Sequence, residues 1–422
     1  MGNTNIEQKE GELMKILHIA DLHLGKTIYG VSMLENGDQK YWIDKFLSEV
    51  DRIKPDAVVI AGDVYDRSSP SGAAVQLLDY FLTELSKLDV SVFMIAGNHD
   101  SGQKLSFAGS FMAQHKIHVS GNLGKELAHC TLSDEYGDVT FWLLPYVFPA
   151  LVSQVFNIDE GFSGDYDSAI RHILEYQDID TTQRNIMIAH QNVTASGNEV
   201  ERGGSESMVG GVGQVDFTAF DSFDYVALGH IHSSYQVGRD SVRYSGTPMC
   251  YHFDETRQTD KGALLITLGP KGEAPIVERI PITPLNPMMQ IRGTFDDVYD
   301  QLKNQGQVSG FVKVVLTDKG ISPEISDLFH TLCKSHGSQL LEITSEYRQF
   351  FDSGLNPSGK QIQELPVEEL FSSFYSQMRS GTCPDETEMK ILSGAAELVR
   401  NTAPDEFDAD TCAEKLLQEV NK

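Results

Sequence analysis

The sequence predicts an α/β core, then a small α+β unit and a helical tail, and three observations lead there. Five short apolar runs, at residues 15–20, 57–61, 91–96, 185–189 and 225–228, have the length and continuity of buried strands. Amphipathic stretches separate the first three: Trp42, Phe46, Val50 and Ile53 recur at helical spacing, as do Ala74, Leu77, Leu78, Phe81, Leu82, Leu85 and Leu88. Beyond a proline-rich stretch at 281–287, strand-like segments at 288–292, 311–317 and 339–344 alternate with helix-like ones at 296–303 and 323–333.

The chain of 422 residues is long for one domain. The expected division is a disordered N-terminal extension at 1–13, a catalytic domain at 14–282, an α+β capping domain at 283–350 and a helical region at 351–422. In the last region, 367–379, 386–400 and 409–420 read as short helices separated by Pro384 and Pro404. The glycine-rich run 203–213 reads as a mobile loop. The polar N-terminus has no secretory pattern, and no apolar run reaches the roughly 18 residues that span a bilayer. Five scattered cysteines without a Cys-x-x-Cys pair argue against a disulfide framework or a thiolate zinc site and suit a reducing cytoplasm. The formal net charge of −28 repels polyanions.

The residues just past the end of each core strand carry the chemistry. Asp21-Leu22-His23 comes after the first, Gly62-Asp63 after the second, Gly97-Asn98-His99-Asp100 after the third, His190 after the fourth and Gly229-His230-Ile231-His232 after the fifth. In α/β sheets, sites form beyond the carboxyl ends of the strands, so these groups are expected to converge. The glycines before Asp63, Asn98 and His230 are expected to permit sharp turns. Singly, each fragment is ordinary turn chemistry; in this order, each at a strand end, they predict a metal site. The candidate ligands are Asp21, His23, Asp63, Asn98, His190, His230 and His232. Seven nitrogen and oxygen ligands are too many for one tetrahedral ion and suit two ions sharing a carboxylate, for which Asp63 is the natural bridge. The donor set favours Mn²⁺, with Mg²⁺, Fe²⁺ or Zn²⁺ as alternatives, over Ca²⁺.

Together these motifs, spanning residues 15–232, resemble the signature of the calcineurin-like metallophosphoesterases. The resemblance implies a calcineurin-like metallophosphoesterase fold, two facing β-sheets flanked by helices. It implies one ion held by Asp21, His23, Asp63 and His232 and a second by Asp63, Asn98, His190 and His230. It makes His99 a catalytic donor beside the scissile phosphate rather than a ligand. Asp100, next in sequence, is expected to orient His99. Longer stretches narrow the likeness. The segments 17–25, 61–70 and 223–230, and Arg243-Tyr244-Ser245-Gly246-Thr247-Pro248, resemble the SbcD family of bacterial nuclease subunits, firmly over 15–280. Asp66 stands where archaeal relatives often carry His.

That second resemblance implies a DNA nuclease, a 3′→5′ exonuclease on double strands and an endonuclease on single strands and hairpins. It implies an SbcC ATPase partner gripped by the C-terminal helices, and a homodimer through helices of the catalytic domain. The alternatives are a small-molecule or cyclic-nucleotide phosphodiesterase, or a non-catalytic scaffold. Tyr251 and His252 could touch substrate or serve structure.

Overall fold

The computed structural model describes residues 13–347, apart from 159–160, 163–164, 196–212, 259 and 305–309, together with residues 372, 375, 384–385, 387–391 and 393. The extension, the glycine-rich run and most of the tail expected from sequence lie outside the described residues. The chain divides into two compact units, Met1–Arg348 and Gln349–Lys422. In the second unit, described residues 387–391 are helical.

The five core strands form where the apolar runs predict them: β1 (Met14–Ile19), β2 (Ala57–Ala61), β3 (Ser91–Ile95), β7 (Arg184–His190) and β8 (Tyr225–Gly229). Every residue of β2 and β3 is buried, so both faces of these strands are covered and their sequences run apolar without alternation. The first sheet also includes β4 (Ile117–Ser120), β11 (Gly262–Leu268) and β12 (Ile276–Pro281), in the order β12-β11-β1-β2-β3-β4. The stretch from β1 to β4 is parallel; β11 and β12 pair antiparallel. The second sheet has the order β9-β10-β8-β7-β6-β5, with β5 (Ala128–Asp134), β6 (Gly137–Leu144), β9 (Tyr235–Val237) and β10 (Arg239–Tyr244).

The two sheets face each other. Ile16, Val59, Phe93 and Ile95 of the first pack against Phe141, Leu143, Ile186, Ile188 and Ala227 of the second, with Phe93 and Phe141 stacked at 4.2 Å between centroids. Helices α1 (Asp38–Ile53) and α2 (Gly72–Lys87) cover the outer face of the first sheet with Trp42, Phe46, Leu78 and Phe81. Ser71 caps α2 by accepting from the Ala74 N–H. The short helices α3 (Gly102–Leu105) and α4 (Gly109–Ala113) follow β3. Helices α5 (Pro149–Phe156) and α6 (Tyr166–Glu175) cover the second sheet with Val152, Ile170 and Ile173. The layering is therefore helix, sheet, sheet, helix.

Beyond β12, a parallel three-stranded sheet of β13 (Met288–Gly293), β14 (Gly310–Leu316) and β15 (Ser338–Ser345) is crossed by α7 (Phe295–Asn304) and α8 (Pro323–Ser335). It has its own core of Ile291, Val298, Val314 and Phe329, while Phe311 joins the core beneath the first sheet. No helix among the described residues is long and apolar enough to cross a membrane.

Candidate metal centre

Parallel pairing brings the strand ends together at one edge. The loops after β1 and β2 clamp each other: the Asp21 N–H donates to the Gly62 carbonyl at 3.0 Å and the His23 N–H to that of Asp63 at 2.9 Å. Four of the expected ligands adopt left-handed backbone conformations, with φ of 55° at Asp21, 44° at His23, 49° at Asp63 and 101° at His230. Each costs a non-glycine residue about 1 kcal/mol or more, and such strain collects at functional sites. The glycines work differently from expectation. Gly62 does turn with φ of 87°, but Gly97 and Gly229 matter for space. A Cβ on Gly97 would lie 2.1 Å from Oδ1 of Asp63, and one on Gly229 1.9 Å from the Ala61 carbonyl.

All seven expected ligands gather here. Asp21, His23 and His232 each offer an atom within 4.8 Å of the others, as do Asp21, Asp63 and His190. Oδ2 of Asp63 lies 3.4 Å from Nε2 of His190 and 3.7 Å from Nε2 of His23. The amide oxygen of Asn98 is 3.1 Å from Nε2 of His190 and 3.1 Å from Nδ1 of His230. Asp21 belongs to both of these groups, and its carboxylate also accepts from the His230 N–H; His23, Asp66 and His99 form a third group of the same kind at the rim.

The charges explain the arrangement. Burial pushes the Asp21 carboxyl up to about 7. Burial would also raise Asp63, but the imidazolium of His190 overrides it and holds that carboxyl well below the usual range. Burial works against a proton on His190 too, yet the Asp63 carboxylate raises it to about 9, so this ring would have to release a proton on binding an ion. Burial lowers His23 well below its ordinary value and His230 to about 3, so both rings keep a lone pair. Both ring nitrogens of His23 are buried without a hydrogen-bond partner. A buried ring without partners is costly in an apolar setting and is satisfied by a cation. The donor set of imidazole, carboxylate and amide oxygen, with no thiolate, fits a divalent ion.

His99 lies at the rim, its side chain 41% exposed, with Nε2 4.0 Å from Oδ2 of Asp63. The expected role of Asp100 is corrected by the geometry. Its two oxygens accept from the backbone N–H groups of Val64 (3.0 Å), Tyr65 (2.8 Å) and Gly97 (2.9 Å), so it ties the second loop to the third. Nδ1 of His99 is instead 2.9 Å from the backbone carbonyl of Asp66, which can only accept, so Nδ1 donates. Tyr251 is buried and its hydroxyl donates to the Leu22 carbonyl, a structural tie. His252 turns toward Asp254 and Tyr29.

Two supports escape a sequence reading. Gln39, on α1, donates to the His23 carbonyl at 2.8 Å and accepts from the Gly25 N–H at 2.9 Å. Glu255, on a single helical turn at Phe253–Arg257, accepts from Nδ1 of His232 at 3.0 Å. In sequence, Asp254-Glu255 reads as solvated surface, and only burial of Glu255 separates it from its neighbour.

Two facing sheets with carboxylate, imidazole and amide groups converging at their strand ends define a metal-dependent phosphoesterase. Residues 14–234 match the model of the calcineurin-like phosphoesterases, and the chain belongs to that family. Residues 284–379 match a second model, described as the type 5 capsule protein repressor C-terminal domain. Over 370 residues, 86% of this chain and 93% of the relative, the chain is 30% identical to a protein of Staphylococcus epidermidis named as the D subunit of the nuclease SbcCD. It is 28% identical over 368 residues, with the same coverage, to the protein of that name from Staphylococcus saprophyticus.

Proposed function

We propose that this chain is a DNA nuclease that hydrolyses phosphodiester bonds as the SbcD-like component of an SbcCD-like complex in the cytoplasm. The observation that supports this most is the convergence of seven candidate ligands beside His99, to which we assign a proton-donor role rather than a metal. One ion is assigned to Asp21, His23, Asp63 and His232, and the other to Asp63, Asn98, His190 and His230, with Mn²⁺ the preferred metal. Divalent ions so held supply positive charge to a phosphate and acidify a water.

The chain's own residues do the rest. With Nδ1 of His99 donating to the Asp66 carbonyl, Nε2 is the atom left to face the departing oxygen, and it passes a proton there from the imidazolium form of the ring, which returns to the neutral Nδ1–H tautomer. Asp100 keeps the loops that carry Asp63 and Asn98 in register. The proposed actions are 3′→5′ exonuclease cleavage of double strands and endonuclease cleavage of single strands and hairpins, with an SbcC ATPase as partner. A homodimer is proposed through α2 and the segment 102–113, where exposed Val75, Phe107 and Phe111 border a groove of about 490 Å³. A fluorescent DNA hairpin tests the reading. Cleavage with Mn²⁺ that stops on chelation is expected. Turnover of a small aryl phosphodiester with no cleavage of hairpin or duplex would favour a small-molecule phosphodiesterase instead.

A further inference from the structure

The imidazole of His232 has two ends with different partners. Nδ1 lies 3.0 Å from Oε1 of Glu255, and both side chains are buried. A carboxylate only accepts, so Nδ1 carries a ring proton, and the nitrogen through which the ring can bind a cation is Nε2. The ring also supplies one corner of the group formed with Asp21 and His23.

The second oxygen of Glu255 is occupied separately. Oε2 accepts from Nζ of Lys261 at 2.7 Å, from the Thr247 hydroxyl at 3.1 Å and from the Tyr251 N–H at 3.2 Å. Nζ of Lys261 also donates to the His232 carbonyl at 3.0 Å and to the Thr247 hydroxyl. Lys261 balances the charge of Glu255, and the four contacts at its two oxygens keep the carboxylate from rotating away from the ring. The other imidazoles of the site are supported differently. Nδ1 of His190 meets the Ala61 carbonyl at 2.8 Å, and His23 has no hydrogen-bond partner. A fixed negative charge behind an imidazole sets its tautomer and plane and strengthens its other nitrogen as a donor to a cation.

We propose that Glu255 is a positioning residue for His232, tightening a divalent cation at the corner formed by Asp21, His23 and His232 through its hydrogen bond to Nδ1. The inference rests on the reading of His232 as a metal ligand. Lys261 and Thr247 serve it by holding Glu255. The linker between β10 and β11, 245–261, thus carries a support for the metal centre although it supplies no ligand.

The test is calorimetric titration of the full chain with Mn²⁺, with bound metal counted after desalting and folding followed by thermal melting. Glu255→Gln keeps an acceptor oxygen and removes the charge. The double variant Glu255→Gln, Lys261→Met avoids leaving a buried ammonium unpaired, which by itself destabilises. Both variants are expected to melt cooperatively, to bind one Mn²⁺ about 10- to 100-fold more weakly and to keep the other unchanged. Wild-type affinity for both ions in a folded variant, or equal weakening of both, would overturn the proposal. His232→Ala is the control on the underlying reading. If it binds two ions like the wild type, the ligand assignment fails. If it loses one while the Glu255 variants lose none, only the role of Glu255 fails.

Discussion

Asp63 has one oxygen facing His190 and His23 and the other accepting from the His99 N–H at 2.9 Å. Asp63→Ala is therefore expected to abolish hairpin cleavage and lower metal stoichiometry; two tightly held ions in that variant would remove its bridging role. His99→Ala should keep both metals and lose about 10²- to 10⁴-fold in rate, the usual share of a proton donor. Loss of a metal would make His99 a ligand. His18 gives a separate pH effect. It is buried between the sheets, with Nδ1 3.0 Å from the Tyr225 hydroxyl and Nε2 3.2 Å from the Leu228 carbonyl. Burial lowers its pKa from 6.5 to about 3. Between those values the unfolded chain takes up a proton that the folded chain refuses, so stability falls as pH drops below 6.5. The loss is about 1.4 kcal/mol per pH unit. The stability difference between pH 7.5 and pH 5, read from denaturant midpoints, should shrink by about 2 kcal/mol in His18→Leu; an unchanged difference would mean that His18 titrates normally.

The core strands run apolar on both faces because they are covered on both sides, whereas α4 and the turn before it leave a side unmatched. Phe107 and Phe111 are 80% and 63% exposed. Large exposed aromatics clustered beside a groove are unfavourable in water and favour a covered state. The proposed dimer would place this patch against its own copy, as twofold contacts do. Phe111→Asp should then halve the mass measured by light scattering while leaving Mn²⁺ binding intact. A wild-type chain that is monomeric at micromolar concentration would rule out this face as a stable homodimer contact.

At the scale of the molecule, charge decides what the chain can do alone. It has 33 basic residues against 61 acidic ones, and even the stretch from 381 onward carries ten acids and four bases. Duplex binding comes mainly from cationic side chains that release counterions. Bound divalent ions restore positive charge only within roughly 8–10 Å, the screening length at physiological salt. They can grip one phosphate but not a duplex. Labelled duplex titrated at about 150 mM salt should therefore bind weakly to the isolated chain and tightly once an SbcC partner is added. Tight binding by the chain alone, with a steep salt dependence, would show a basic surface and remove the need for the partner.

The five core strands, the βαβαβ order of the small sheet and the positions of all seven candidate ligands are legible in the amino-acid order alone. These are local facts: a buried strand must be apolar along its length, and its ligands come within four residues of its end. The remainder depended on how distant segments pack. The strands β4, β5, β6, β9, β10, β11 and β12, which complete the two sheets, are not predicted by the sequence. That the sheets face each other came from resemblance, because packing between Phe93 and Phe141 is a collective outcome of distant segments. Asp100 adjoins His99 in sequence yet serves the backbone of Val64, Tyr65 and Gly97, while the Asp66 carbonyl, 33 residues away, holds the His99 ring. Glu255 meets His232 across 23 residues of chain. Proximity in sequence says nothing about where a carboxylate turns; that is set by which buried donors the fold leaves without an acceptor.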